Sequence, residues 1–367
     1  MMYDFKKRIS KIAGIMRERG IDLFLVTPSS DMKYLIGYEH PLDDKVLLFV
    51  LLPDGSNFVI HNKLHDIDPE HTPADEMFSY AYELTPEEVL FSELKKRDMD
   101  SGLIAVSSNM PAFFALKLKE HFPKAEFIAT EDITAPLRSI KDVAEIAATR
   151  EACLKASEAL RLCMDRGSYW IGKTEQQLEA YLMYLMGDMG LRHNAVSVCF
   201  GENAVSTHHH PDETVIEWGK PLLIDFGADY HFYNTDMTRM FFFGEATDEY
   251  KKIYDIVLSA ELLGIEMAKC GGTLQELDMA VRNYFGKLGY GEYYIHRTSH
   301  GVGLDCHDVP KIPVNGETPI ENGMIFSVEP GLYLPGKFGV RIEDQIAMVD
   351  GRAEILHPFT KELIEIK

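Results

Sequence analysis

The sequence predicts an α+β protein of two domains: a smaller α/β domain over residues 1–135 and a larger mixed domain over residues 136–367. Three observations lead there. The 367 residues exceed one ordinary domain. In the first third of the chain, helical and strand-like segments alternate. In the rest, most strand-like segments meet at turns rather than at crossover helices, which predicts an antiparallel sheet.

The elements follow in order. KRISKIAGIMRERG has a helical period and stops at Gly20. DLFLVT, KVLLFVLLP and NFVIHN read as strands, with PDGS a turn between the last two. EEVLFSELKKRD and AFFALKLKEHF read as helices on either side of a strand, LIAVSS. Next, LRSIKDVAEIAATREACLKASEALRLCMDR repeats its apolar residues at three and four and reads as one long amphipathic helix, so the boundary is placed just before it. Three further helices, TEQQLEAYLMYLMGDMG, DEYKKIYDIVLSAELLGIEMAKC and LQELDMAVRNYFGKLG, interleave with strands. Those strands are AVSVCFG, KPLLIDFGADY, FYNTDMTRMFFFG, GMIFSVEPGLYL and GVRIEDQIAMV.

Composition narrows the function. The formal charge of -21 lacks the footprint of a nucleic-acid binder. No basic tract offers itself to anionic lipid. Five widely spaced cysteines without a CxxC argue against a disulfide framework and a zinc-thiolate site, and fit a reducing cytoplasm. The charged start, MMYDFKKRIS, is not a signal peptide, and VLLFVLL is too short to span a membrane. The expectation is a cytoplasmic protein with no nucleic-acid or membrane partner.

The chemistry gathers in the second domain. Asp225 and Asp236 bracket DFGADYHFYNTD. A turn centred between Tyr230 and His231 sets them directly opposite each other, where like charges are destabilising. Glu329 in MIFSVEPG and Glu343 in GVRIEDQIAMV also sit within apolar strands, the latter sharing a face with Arg341 and Gln345. Four carboxylates inside strands need protons or cations. Only Arg239 and Arg341 lie within those strands to pair with them. Two divalent cations balance the four charges, and carboxylates with an imidazole suit Mn, Co, Fe or Zn. The imidazole has several candidates: His296, His300 and His307 in IHRTSHGVGLDCHDVP, and His208, His209 and His210 in STHHHPDE. His61 and His65 lack acidic company in the sequence and read as surface residues.

These motifs, in this order, resemble the pita-bread metallopeptidases, a family that includes methionine aminopeptidase, aminopeptidase P and prolidase. LLIDFGADYHFYNTDMTRMF, RTSHGVGLDCHDVP, SVEPG and RIED resemble its ligand segments. The resemblance implies five metal ligands at Asp225, Asp236, His300, Glu329 and Glu343. RIED, the α/β domain in front and LRSIKDVAEIAATREA resemble the aminopeptidase P and prolidase branch, commonly dimeric. Creatinase shares this pita-bread fold but lacks the ligands.

The resemblance further implies that Glu329 is also the general base and that His208 and His307 contact substrate and steady the intermediate, with His209 the alternative to His208. His296 lines the proline pocket, and Tyr333 and Phe338 are nearby candidates. Arg341 lies toward the substrate's carboxyl side, where Lys311 is a second basic candidate. Thr235 departs from the family, which commonly has Ser or Gly there. The implied activity is hydrolysis of the Xaa-Pro bond, with Mn or Co the first-choice ions and Zn or Fe also fitting. The substrates are small peptides with proline second, and the enzyme is a homodimer. An Xaa-Pro dipeptidase is the first reading, aminopeptidase P acting on longer peptides the second. A non-catalytic binding module on the same fold is the third.

Overall fold

The computed structural model describes residues 3–43, 45–99, 101–312 and 317–367. The chain divides into two compact units, residues 1–138 and 139–367. Met1 and Met2, the first residues of the charged N-terminal stretch, lie outside the described residues.

The first unit runs α1 (Phe5–Arg19), β1 (Leu23–Val26), α2 (Ser30–Ile36), β2 (Leu48–Leu51), β3 (Asn57–Asn62), β4 (Glu76–Tyr80), α3 (Pro86–Lys96), β5 (Leu103–Val106), α4 (Ala112–His121), β6 (Glu126–Ala129) and α5 (Glu131–Ser139). Its six strands form one mixed sheet in the order β4-β3-β2-β1-β5-β6. Leu25, Leu48, Val50, Phe58, Ile60 and Ile104 of the sheet share a core with Leu90, Leu94, Phe114 and Leu118 of α3 and α4. Each such side chain contributes roughly 1.5–3 kcal/mol by leaving water. The sequence reading did not include α2, β4 or β6. The two strands are short, largely uncovered edges with no alternation to detect.

The second unit begins with α6 (Val143–Met164), followed by α7 (Glu175–Asp188), β7 (Arg192–Phe200), β8 (Pro221–Tyr230), β9 (Tyr233–Phe243), α8 (Asp248–Met267) and α9 (Leu274–Lys287). It closes with β10 (Ile325–Val328), β11 (Gly331–Leu334), β12 (Phe338–Arg341), β13 (Asp344–Val349), β14 (Arg352–Ile355) and β15 (Ile364–Ile366). The long helix expected from Leu137 is two helices. Asp142 caps α6 by accepting from Ala144 N and Glu145 N, while Glu145 reaches back to Asp142 N (2.6 Å). That capping box starts a new helix where periodicity alone runs on.

The four-stranded sheet is ordered β15-β9-β8-β7, antiparallel except for β15 beside β9. One face buries Leu222, Ile224, Phe226, Phe241 and Phe243 against α6 and α7. The other buries Leu223, Met240 and Phe242 against Ile253 and Val257 of α8. Asp225, Asp236 and Thr238 continue this second face by alternation. Among the described residues, no helix is long and apolar enough to cross a membrane.

Candidate metal centre

The β8–β9 hairpin carries the first two acids, with a register that corrects the expected one. Asp225 lies opposite Thr238, and Asp236 lies opposite Gly227. The turn is centred between His231 and Phe232, one residue later than expected. Both residues have positive φ, 51° and 74°, as a two-residue type I′ turn requires. Asp229 Oδ1 accepts from Phe232 N (3.2 Å). The two aspartates are diagonal neighbours on one face, not a facing pair. Gly227, opposite Asp236, sits in close quarters: a Cβ there would stand 3.1 Å from Thr235 O and 3.4 Å from Cys306 Sγ.

Two expected strands are broken at the remaining acids. GMIFSVEPGLYL divides into β10 and β11 around Glu329 and Pro330, and GVRIEDQIAMV into β12 and β13 around Ile342 and Glu343. Freed from a continuous ladder, Glu343 bridges to Thr238 instead. Glu343 N donates to Thr238 O (3.2 Å), and Thr238 Oγ1 donates to Glu343 Oε2 (2.7 Å). Glu329 N donates to Thr298 O (2.8 Å), and Ser327 N to His300 O (2.8 Å).

Ligand-capable atoms of Asp225, Asp236 and Glu343 lie within 4.8 Å of one another. The same holds for His300, Glu329 and Glu343, and for Asp236, His300 and His307. His300 Nδ1 donates to Gly301 O (3.1 Å). Its Nε2 lone pair therefore faces Glu329 Oε1 at 3.2 Å and Asp236 Oδ2 at 3.5 Å. Burial and the neighbouring His307 push the His300 pKa down to about 4. Burial, then neighbouring carboxylates, raise Asp236, Glu329 and Glu343 well above the usual carboxylate range. Glu343 Oε1 is buried with no hydrogen-bond partner.

Each carboxylate accepts from one neighbouring side chain, yet the converging acceptors outnumber these donors, an excess that a cation pair would satisfy. Two of these three sets share Glu343, whose carboxylate could then serve both ions of a pair. The backbone carbonyl that fixes the His300 tautomer is a common outer partner of a ligating imidazole.

The other candidates divide by environment. Arg341 is buried and donates to Asp225 Oδ2, to Tyr333 Oη (2.7 Å) and to Thr238 Oγ1 (3.1 Å). Tyr333 Oη donates to His296 Nε2 (2.7 Å), whose Nδ1 donates to Arg297 O (2.7 Å). Burial pushes the His296 pKa down to about 4. His307 stacks on His300, ring centroids 3.9 Å apart. Burial lowers the His307 pKa, Asp225 opposes this, and His208 adds a smaller lowering effect. His209 Nε2 instead donates to Glu175 Oε2 (2.7 Å). Lys311 is exposed, its carbonyl accepting from Thr318 Oγ1 (2.9 Å). Phe338 packs on Tyr250 in the α8 core.

Sequence reasoning missed Thr238, which touches both Glu343 and Arg341. Its signal was available: it lies two residues after Asp236, on the same face. Cys306, whose Sγ donates to Asp236 Oδ2 (2.9 Å), was also missed.

Two further clusters are built differently. Glu175, His209 and Asp212 converge, but hydrogen bonds already engage both Glu175 oxygens. His40, Asp43 and His65 converge in the first unit. His65, expected at the surface, is buried because His40 and Asp43 pack over it from the segment after α2, and His61, also expected there, is partly buried. The His65 Nδ1 accepts from Asn62 N (3.3 Å). Its neutral ring therefore carries the proton on Nε2 and offers no second lone pair.

Residues 147–350 match the model of metallopeptidase family M24, and residues 8–140 match that of the creatinase/prolidase N-terminal domain. The chain is 31% identical to an Xaa-Pro dipeptidase from Pyrococcus horikoshii over 98% of this chain and 99% of the relative. It is similar to the crystal structure of a prolidase from Thermococcus sibiricus, with TM-score 0.92, 30% identity and 99% of each chain covered. An X-Pro aminopeptidase from Thermotoga maritima follows with TM-score 0.88 and 26% identity, over 98% of this chain and 99% of that one.

Proposed function

The chain belongs to metallopeptidase family M24 and carries a creatinase/prolidase-type N-terminal domain, and on that premise we propose that it is an Xaa-Pro dipeptidase. In this reading Asp225, Asp236, His300, Glu329 and Glu343 hold two divalent cations. The observation that supports it most is the convergence of buried acceptors around Glu343, one of whose oxygens has no partner. When bound, the cations supply Lewis acidity, lowering the pKa of water and drawing charge from the scissile carbonyl.

The chain's own residues supply the remaining steps. Glu329 takes the proton of the attacking water and returns it to the departing proline nitrogen. His208 and His307 donate to the carbonyl oxygen as it gains charge. His296, held by Tyr333, forms one wall of the slot for the proline ring. Arg341 offsets the charge of Asp225 and orients Tyr333. Its donors to Asp225, Tyr333 and Thr238 favour this positioning role over direct contact with a substrate carboxylate. Lys311, being exposed, is then the candidate for that carboxylate. Mn or Co are the first-choice ions, with Zn and Fe fitting the same donors. A cytoplasmic homodimer completes the reading.

The curated relatives named Xaa-Pro dipeptidase support the dipeptide substrate. Likeness to an X-Pro aminopeptidase structure supports the second reading, activity on longer peptides. Hydrolysis of an Xaa-Pro dipeptide and an Xaa-Pro-Xaa tripeptide, compared in added Mn or Co, decides between them. Dipeptide preference is expected, and tripeptide preference would assign the aminopeptidase. A purified chain with neither metal uptake nor peptidase activity would instead support a binding module.

A further inference from the structure

We propose that Glu175 is a positioning residue for the peptidase reaction: its buried carboxylate fastens the segment from Phe200 to Asp212, which carries His208. This rests on the reading of His208 given above. Glu175 is the first residue of α7 and is 0% exposed. Its Oε1 accepts from Phe200 N (2.6 Å) and Asn203 Nδ2 (3.0 Å). Its Oε2 accepts from His209 Nε2 (2.7 Å) and Asp212 N (3.1 Å). One side chain therefore gathers four points spread over thirteen residues of a segment that leaves β7 and returns toward β8.

The backbone adds to this lacing. Glu175 N donates to Thr214 O (3.1 Å), and Thr174 bridges to Val215. From the other side, Gly339 of β12 lies against Ala204, where an added Cβ would stand 1.9 Å from the carbonyl oxygen. The segment is thus pinned between α7 and the strand that carries Arg341.

Within it, adjacent histidines are treated in opposite ways. His209 is partly buried and committed to Glu175, while His208 is exposed. Anchoring one imidazole limits where its neighbour can go. A carboxylate whose only task was its own burial would need partners, but not partners at four stations of the segment bearing His208.

The test is a double-mutant cycle on the metal-loaded full chain, reading kcat, KM and metal content with an Xaa-Pro dipeptide in added Mn. His208→Ala is expected to lower kcat. If it leaves kcat unchanged, the reading of the site fails and this inference fails with it. Glu175→Gln keeps the side-chain shape but puts an amide donor where donors already point. It is expected to lower kcat by about tenfold to a hundredfold, with metal content retained and KM within about twofold. In the His208→Ala background, Glu175→Gln is expected to cost less than about a further twofold.

Losses that multiply in the double variant overturn the inference and leave the reading of His208 standing, as does a Glu175→Gln protein with unchanged kcat. If Glu175→Gln does not fold, His209→Ala takes its place in the cycle with the same two outcomes. His209→Gln, whose amide can donate to Glu175, is expected to recover kcat toward the parent value, and equality with His209→Ala counts against the inference.

Discussion

Glu343 is held at one end. Thr238 donates to Oε2, while Oε1 is buried without a partner. An unsatisfied buried polar atom costs about 1–3 kcal/mol, more when charged. Asp236 has a thiol on one oxygen and the His300 lone pair toward it. Asp236→Asn keeps the shape and removes the charge. It is expected to lower metal content and to reduce dipeptide hydrolysis roughly a hundredfold or more. Full metal content with full activity would refute the ligand assignment. Much of this cluster was legible because acids inside apolar strands are conspicuous. Thr238 and Tyr333 were harder to read, since both are ordinary strand residues. Glu175 was harder still. An acid in the first turn of a helix looks like a favourable charge at the helix N-terminus, and its four partners come from distant residues.

At the scale of elements, hydrophobic runs located the strands, and caps and turns decided their limits. The α5–α6 break, the split at Glu329–Pro330 and the turn at His231–Phe232 all depend on local hydrogen bonding or backbone angles. A periodic pattern does not register these. The turn residues are not the Asn-Gly type, so the sequence left its register soft, and the structure shifts it by one turn position. Phe232 adopts φ 74°, a region that costs an L-residue about 1 kcal/mol or more. Phe232→Gly is therefore expected to stabilise the protein by about 1 kcal/mol, read as a higher denaturant midpoint at unchanged slope and unchanged kcat. A lower midpoint would mean that the ring's contact with Arg192 outweighs the strain.

For the whole molecule, the -21 formal charge and the acidic cluster act together. Asp236, Glu329 and Glu343 have folded pKa values above their unfolded ones. Above the unfolded value, near pH 4, the stripped folded chain holds more protons than the unfolded chain. Its stability therefore falls as pH rises toward the folded values. Bound cations would remove this loss. Unfolding midpoints with chelator and with added Mn, at pH 5 and pH 8, are expected to differ more at pH 8. Metal at a hundredfold over its Kd would add roughly 2.7 kcal/mol. A gap that closes at pH 8 would contradict the cation reading.

Order of synthesis gives another feature its consequence. Strand β9 holds Asp236, and its outer edge is covered by β15. Arg239, on the same strand, donates to the carbonyls of Phe359 and Thr360 and to Asp344. All of these partners emerge from the ribosome more than a hundred residues after β9. Until then the strand has a bare edge and Arg239 lacks these acceptors, so the nascent chain must carry an incomplete centre while the segment between β9 and β15 is made.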